Sequence, residues 1–229
     1  QLVPIVSSSR AARLICEKWS ANYGYLPDAI VVEGPKAGGH LGFKKEQIED
    51  EHYSLEHLIP EVVEVARSYA GRKNIPVIAA GGIATGEDIA RFMALGASAV
   101  QMGSIFVPTE ECDASVEFKK VYLNAHREDI RIIQSPVGMP GRAFDGEFIR
   151  NVAEGKEKPR SCPFHCIKTC DYTKSPYCII KALYNAAKGN MKKGYAFAGG
   201  NAYLSDKIRS VREVVEKLKT DFFLSKAAF

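Results

Sequence analysis

The sequence predicts an α/β fold built around a parallel β-sheet, and three observations lead to that prediction. Four short apolar runs, at residues 2–6, 29–33, 76–80 and 99–102, lack the polar alternation of a half-exposed strand. A pattern typical of an amphipathic helix comes after each run. Glycine-rich turns end the third and fourth runs. Strands that alternate with helices in this way are expected to pair in parallel.

The predicted helices have recognisable ends. Three serines at residues 7–9 precede the first helical pattern and offer hydroxyl groups that cap a helix. The second pattern, residues 55–70, places acidic side chains near its start and a basic one near its end, as the helix dipole favours. The third, residues 87–95, is followed by Gly96 as a C-cap. A further helix is predicted over residues 117–127.

These strand–helix units fit either a Rossmann-like sheet or part of a TIM (β/α)8 barrel. The glycine-rich turns favour the barrel, because its phosphate sites are usually built from the last two strand–helix loops. We therefore predict that residues 1–134 form the second half of a barrel, with its first four strands upstream of Gln1. Residues 135–229 are predicted to form a C-terminal loop, a cysteine cluster and helices that pack on the barrel. Four strands cannot close a barrel, so we expect poor solubility or self-association of this chain alone.

Composition narrows the class of protein. The 229 residues are 46% hydrophobic and 25% charged, which suits one globular domain with a sizeable core. The net charge of +4 is small and dispersed, so no nucleic-acid partner is predicted. No apolar run is long enough to span a membrane, and no signal peptide is recognised, so we predict a cytoplasmic location and no membrane partner. The six cysteines are then expected to be thiols or metal ligands rather than disulfides.

Two turns are candidates for binding one phosphate monoester. Gly81 and Gly82 free backbone N–H groups to point into a concavity, and the helix after Thr85 would present its positive end nearby. Gly103 and Ser104 add a close backbone approach and a hydroxyl donor. The alternative is that these glycines only make tight turns. No Gly-x-Gly-x-x-Gly pattern is present, so a tightly held NAD is not predicted.

A candidate catalytic residue lies in the segment from Asp28 to Phe43. The apolar strand there ends at Glu33, and a glycine-rich loop then carries His40. Enzymes of the α/β class place their chemistry just past the carboxyl ends of strands. A histidine that only caps or packs is the alternative interpretation.

Three segments resemble the nitronate monooxygenase family, once called 2-nitropropane dioxygenases. They are VVEGPKAGGHLG at 31–42, PVIAAGGIATGEDIARFMALGASAVQMGSIF at 76–106 and QSPVGMPGRAF at 134–144. The related flavin-dependent enoyl-ACP reductases share the first two segments. The resemblance covers nearly the whole chain and implies an FMN-containing TIM barrel.

The resemblance also implies roles for particular residues. His40 matches the active-site histidine beside the flavin, and Glu33 stands where the family has a polar residue, often glutamine. An ionised glutamate accepts hydrogen bonds but cannot donate them, which changes the expected pattern. The resemblance also implies that Gly38 contacts the cofactor through its backbone. Gly81 and Gly82 match the first phosphate loop of the family. The second phosphate loop is matched by Gln101, Met102, Gly103 and Ser104.

The activity implied is oxidation of an alkyl nitronate by FMN and O2 to a carbonyl compound and nitrite. His40 would act as a base toward a neutral nitroalkane, or hold the nitro oxygens of a nitronate. One alternative is enoyl-ACP reduction, with NAD(P)H as co-substrate and the same residues. Another is a noncatalytic truncated fragment that at most binds a phosphate.

The C-terminal part leaves several alternatives open. Residues 135–142 form a predicted loop that either lines the substrate pocket or closes the barrel end, and the family places the turn at 197–203 near the open face. The last helical pattern packs on the barrel or on a partner subunit of a homo-oligomer. Four clustered cysteines could hold zinc or an iron–sulfur cluster, or form redox pairs. They could also be ordinary semi-buried thiols, because three cysteines four residues apart would lie on one face of a helix. We favour the ordinary thiols and predict no metal. They are Cys162, Cys166, Cys170 and Cys178.

Overall fold

The computed structural model describes residues 1–168 and 170–226, which form two compact units. Unit 1 comprises residues 1–37 and 42–103 and the chain from Arg212 onward, and unit 2 comprises residues 38–41 and 104–211. The strands are β1 Ile5–Val6, β2 Ile30–Glu33, β3 Gly39–His40, β4 Val77–Ala80, β5 Ala99–Gln101, β6 Ile130–Gln134 and β7 Pro140–Phe144. The helices are α1 Ser9–Tyr23, α2 Leu55–Arg67, α3 Gly86–Ala94, α4 Val116–Leu123, α5 Glu147–Ala153, α6 Ile179–Ala187 and α7 Val211–Lys226. The division predicted after residue 134 stays a prediction.

Unit 1 contains a four-stranded parallel sheet in the order β1-β2-β4-β5. The predicted strands are confirmed, although β1 is limited to two residues of the predicted five. The apolar side chains of β2 are buried at three successive positions, Ile30 to Val32, as expected for a strand covered on both faces. The sheet is open within the described residues, because β1 and β5 are its two edges.

The helices of unit 1 follow the end signals in the sequence. The Ser8 hydroxyl accepts a hydrogen bond from the Ala11 N–H at 3.2 Å and caps α1. Gly96 follows α3 with a φ of 103°, the left-handed conformation typical of a helix stop. An alanine Cβ at Gly86, the first residue of α3, would overlap the backbone of α7 at Leu218 and Phe222. The two helices therefore approach each other at backbone contact distance.

Unit 2 contains a three-stranded antiparallel sheet in the order β3-β7-β6. The extended piece predicted at residues 130–134 is confirmed as β6. The loop predicted over residues 135–142 is wrong for its second half, because the chain turns at Gly138, with a φ of 84°, and Pro140 begins β7. The fourth predicted helix ends at Leu123 rather than 127, because the His126 N–H donates to the Asp129 carboxylate and starts a new turn.

Aromatic side chains build the core of unit 2. Tyr177 and Tyr195 are buried with Phe148, and their hydroxyl groups lie 3.2 Å apart. Burial raises the pKa of the Tyr195 hydroxyl, so it stays protonated. Tyr122 donates a 2.6 Å hydrogen bond to the Phe197 carbonyl and packs on Phe144. These contacts fix the segment around Phe197.

Between α5 and α6, the residues that the structure describes include no helix or strand. Most side chains in this segment, residues 154–178, are exposed, and Tyr177 is buried at its end. Across residues 1–168 and 170–226, the structure contains no helix whose length and apolar character would let it cross a membrane.

Candidate active site

The strand register of unit 1 brings three predicted site segments to one edge of the sheet. Glu33 at the end of β2 lies opposite Ala80 of β4, and Ala80 lies opposite Gln101 of β5. All three strands run in the same direction, so their carboxyl ends meet at this edge. The glycine-bearing loops that follow these strands begin there. This is the edge where parallel α/β proteins bind ligands.

Glu33 is half-buried, and desolvation raises the pKa of its carboxyl group. Burial penalises the charged form, and the structure therefore shifts Glu33 toward the carboxylic acid. A protonated carboxyl group donates one hydrogen bond and keeps an acceptor oxygen. In that form, a glutamate offers the same two functions as a glutamine amide.

Gly81 and Gly82 have φ angles of 98° and 77°, which side chains rarely adopt. An alanine Cβ at Gly81 would lie 2.9 Å from the Ala37 nitrogen, and one at Gly82 would lie 2.7 Å from the Lys36 Cβ. Both glycines are thus required by the fold, as the tight-turn interpretation expects. The loop packs against residues 34–37, which places the Lys36 side chain beside Gly82.

The start of α3 is already capped by its own side chains. The Thr85 hydroxyl accepts from the Asp88 N–H at 3.1 Å. In return, the Asp88 carboxylate accepts from the Ala84 and Thr85 N–H groups at 2.9 and 3.1 Å. This capping box supplies a negative charge to the helix N-terminus. The Ala84, Thr85 and Asp88 N–H groups are therefore engaged within the protein, and the Asp88 carboxylate makes the start of α3 less favourable for an anion.

Gly103 differs from the other two loop glycines. Its φ lies outside the left-handed region, and among the described residues no atom lies within 4 Å of the position that an alanine Cβ would occupy. Neighbouring Gln101 is exposed and Met102 is half-exposed. Local structure therefore gives no reason for a glycine here. A ligand that approaches the backbone closely would give one.

His40, on β3 of unit 2, is positioned by two side chains. Its Nε2 lies 2.7 Å from the Ser135 hydroxyl, and Ser135 is only 2% exposed. Its ring meets the Phe197 ring edge-on, with 5.0 Å between centroids. Desolvation lowers the pKa of His40, so the imidazole is neutral at neutral pH. A neutral ring held in a fixed orientation can accept a proton or donate a hydrogen bond.

Two further predicted residues of unit 2 meet the same turn. An alanine Cβ at Gly38 would lie 2.6 Å from the Ala198 carbonyl carbon, so the two backbones are in direct contact. The Ser104 hydroxyl accepts a hydrogen bond from the Gly199 N–H at 3.0 Å. The hydroxyl proton of Ser104 is still available to donate. His40, Gly38 and Ser104 thus all lie against residues 197–199, a turn that the resemblance placed near the open face.

Sequence reasoning missed the Ser135 partner of His40. The two residues are 95 positions apart, and no local pattern connects them. The capping box at Thr85 was visible as a Thr-x-x-Asp pattern before an apolar run, but the prediction treated that helix end as open.

The four clustered cysteines line one cavity in unit 2. All four are free thiols. Partial desolvation, and then the charges of the other three cysteines, raise the pKa of Cys170. In residues 1–168 and 170–226, no three His, Cys, Asp or Glu side chains are arranged so that they could hold a metal ion.

Residues 1–221 match a family model described as nitronate monooxygenase. A probable nitronate monooxygenase of Staphylococcus aureus (strain Newman) is 34% identical over 128 residues, which are 56% of this chain and 34% of the relative. One from Staphylococcus saprophyticus is 32% identical over 140 residues, 60% of this chain and 38% of the relative. These matches thus span little more than a third of the curated relatives' length.

Two solved structures resemble the chain over almost its whole length. FabK from Thermotoga maritima has a TM-score of 0.74 and 28% identity, covering 100% of this chain and 62% of that one. Nitroalkane oxidase from Streptomyces ansochromogenes has a TM-score of 0.69 and 25% identity, covering 99% of this chain and 58% of that one. With the parallel sheet of unit 1, these likenesses confirm the predicted α/β barrel class, of which this chain contains a part.

Proposed function

The chain belongs to the nitronate monooxygenase family, and from that premise we propose that it is part of an FMN-dependent oxidoreductase that converts alkyl nitronates and O2 into carbonyl compounds and nitrite. The observation that carries the proposal is the shared edge in unit 1. Glu33, Ala80 and Gln101 are in register there, and the glycine-bearing loops after all three strands begin at this edge. Ligand sites of parallel α/β folds lie at this position.

The residues present fit the phosphate group of FMN. Backbone N–H groups in glycine-rich loops bind phosphate because no Cβ keeps the anion away. The open space at Gly103 and the hydroxyl of Ser104, which retains a proton to donate, support a role in such binding. Lys36, beside Gly82, adds a positive charge to the first loop. When bound, FMN supplies the electron transfer that no side chain provides.

His40 is the residue that we assign to the substrate. Its lowered pKa keeps the imidazole neutral, which a base toward a neutral nitroalkane requires. Toward a nitronate, which is already an anion, the ring would instead hold the nitro oxygens through an N–H group. The Ser135 hydroxyl at 2.7 Å fixes the ring orientation in either case. Glu33, which burial shifts toward the protonated form, is assigned to a hydrogen bond with the flavin.

Reduction of an enoyl-ACP substrate by NAD(P)H is the second candidate, and the structural likeness to FabK is the observation that favours it. It would use the same residues and a different electron donor. A noncatalytic chain that binds only a phosphate is the remaining alternative. The cytoplasmic location and the homo-oligomer stay predictions.

The deciding experiment is an anaerobic titration of the purified, FMN-loaded protein, followed by visible absorption. We expect an alkyl nitronate to bleach the oxidised flavin bands, admitted O2 to restore them, and nitrite to accumulate. NADPH is expected to leave the bands unchanged. Bleaching by NADPH followed by turnover of an enoyl thioester would instead favour the reductase, and a protein that takes up no flavin would leave only the phosphate-binding alternative.

Variants at two histidines separate the role of His40 from a general effect. We expect His40→Gln to retain FMN and to slow bleaching by a nitroalkane by at least about 100-fold, the scale of general base catalysis. His57→Gln, at an exposed position on α2, is the matched control and should bleach at the wild-type rate. Equal rates in both variants would remove His40 from the proposed site.

A further inference from the structure

The segment between α5 and α6 is irregular, and its hydrogen bonds include local turns such as the one from the Cys170 N–H to the Ile167 carbonyl at 3.1 Å. Residues 154–178 include no helix or strand within the part of the chain that the structure describes, and most of their side chains are exposed. Irregular segments of this length are uncommon in compact units and are usually either functional or linkers. Tyr177 anchors the C-terminal end of this segment in the core. The apolar core therefore orders only one end.

Four cysteines of this segment surround a single cavity. Their neighbours in the cavity wall are mostly apolar and include Ile167 and Tyr177. The cavity volume is about 20 Å³, room for one body the size of a water molecule. The four cysteines are Cys162, Cys166, Cys170 and Cys178.

The structure removes the simplest explanation for this spacing. Three cysteines four residues apart would share one face of a helix, but the described residues around them are not helical. Between Cys162 and Cys166 the chain turns at His165, whose φ of 44° is left-handed. The cysteines therefore share a cavity because the irregular chain folds back on itself, and not because a helix aligns them.

We propose that Cys162, Cys166, Cys170 and Cys178 bind one structural zinc ion as four thiolates. Zinc takes four such ligands in tetrahedral geometry at about 2.3 Å and has no redox chemistry of its own. On binding, each thiol releases its proton to solvent, and four Zn–S bonds form without oxidation or reduction. An iron–sulfur cluster would also need inorganic sulfide, which a zinc site does not.

In this structure the four thiols are not drawn into coordination geometry. Four neutral thiols have no attraction that would bring their sulfur atoms together. A divalent cation supplies it, and its binding energy becomes ordering energy for the segment. The zinc would thereby attach the exposed part of residues 154–178 to the wall formed by Tyr177 and α6. This inference is independent of the proposed flavin chemistry.

The test begins with elemental analysis of the protein purified without added metal or chelator. We expect about one zinc per chain. Replacing it with Co²⁺ should produce the visible bands of tetrahedral cobalt and the sulfur-to-cobalt charge transfer of thiolate ligands. Because the cobalt spectrum is recorded on the wild-type chain, it tests the ligand set even if a cysteine variant fails to fold.

Two variants locate the site. Cys166→Ser should reduce bound zinc from about one per chain to less than about a tenth, while Cys112→Ser, a cysteine of the same unit outside the cavity, should retain it. With zinc bound, the segment should also resist trypsin, and a chelator should open its cleavage sites. These sites are Lys156, Arg160, Lys168 and Lys174.

Three results would overturn the proposal. One is a protein that folds with four titratable thiols and neither holds zinc as purified nor takes up added Co²⁺. Another is a pair of disulfides among the four cysteines in non-reducing peptide mapping. The third is iron with sulfide in place of zinc, which would show that the cavity holds a cluster.

Discussion

The substitution Gly103→Ala tests whether the glycine at this position is required for ligand binding or for folding. An alanine Cβ there meets no atom within 4 Å among the described residues, and the backbone φ is one that alanine adopts. Alanine at such a position stabilises a protein by about 0.4–1 kcal/mol, because the unfolded chain loses freedom. We therefore expect the flavin-free variant to melt at the wild-type temperature or slightly above it.

Binding of FMN is expected to change in the opposite direction. The methyl group would occupy the space through which a phosphate oxygen approaches the backbone. Losing one hydrogen bond to a charged group costs about 1.5–3 kcal/mol. This corresponds to a dissociation constant about 10- to 150-fold higher.

The assay is quenching of flavin fluorescence during titration, with thermal unfolding of the flavin-free protein measured in parallel. Gly71→Ala is the matched control, since that glycine is also exposed, unstrained and free of close neighbours among the described residues. If Gly103→Ala binds FMN as tightly as Gly71→Ala does, Gly103 is only a turn residue and the second phosphate loop is wrong. A large loss of thermal stability would show that the space at Gly103 is not open.

Three further predictions concern charge and packing. With a neutral nitroalkane as substrate, kcat/KM should fall only as pH drops through the pKa of His40, which burial lowers from its ordinary value of 6.5. An inflection of the pH profile at or above pH 6.5 would contradict the role of His40 as a neutral base. Because the pKa of Glu33 is raised in the folded chain, its ionisation costs folding stability as pH rises through that pKa. Glu33→Gln should therefore stabilise the chain more at pH 7 than at pH 4, as measured by denaturant titration. The exposed Glu64→Gln is the control and should show no such difference between the two pH values. Gly86→Ala should destabilise the protein by about 3 kcal/mol, because its Cβ would overlap the backbone of α7. Gly146→Ala is the control and should change stability little, since no atom of the described residues lies within 4 Å of its Cβ position. Equal melting temperatures for the two variants would refute the close approach of α3 and α7.

The parallel sheet could be predicted from the sequence because its signals are local. An unalternating apolar run such as Ile30 to Val32 needs no knowledge of its partner to be recognised as a buried strand. The helix ends at Ser8 and Gly96 are likewise set by a few neighbouring residues. Each of these predictions depends only on a few residues that are adjacent in the sequence, and the structure has the predicted strand or helix end at each place.

The antiparallel sheet of unit 2 could not be predicted in the same way. β3 contains only Gly39 and His40, too few residues for any periodicity, and its partner β7 lies about a hundred positions away. The proline and glycine at the start of β7 are residues that usually mark loops. The same limit applies to the candidate site. The position of His40 after a strand predicts a site residue, and that role stays a prediction, whereas its contact with Ser135 depends on the long-range pairing and has no local signal.

The most direct test of the account compares the affinity of the purified protein for FMN and for riboflavin, which differ only in the phosphate. If the glycine-bearing loops bind that group, FMN should bind about 100-fold tighter or more, since a phosphate held by two loops makes at least two charge-assisted hydrogen bonds. The preference should also weaken as salt concentration rises. Equal affinities for the two flavins would contradict the phosphate site and remove the proposed ligand role of Gly81, Gly82 and Gly103.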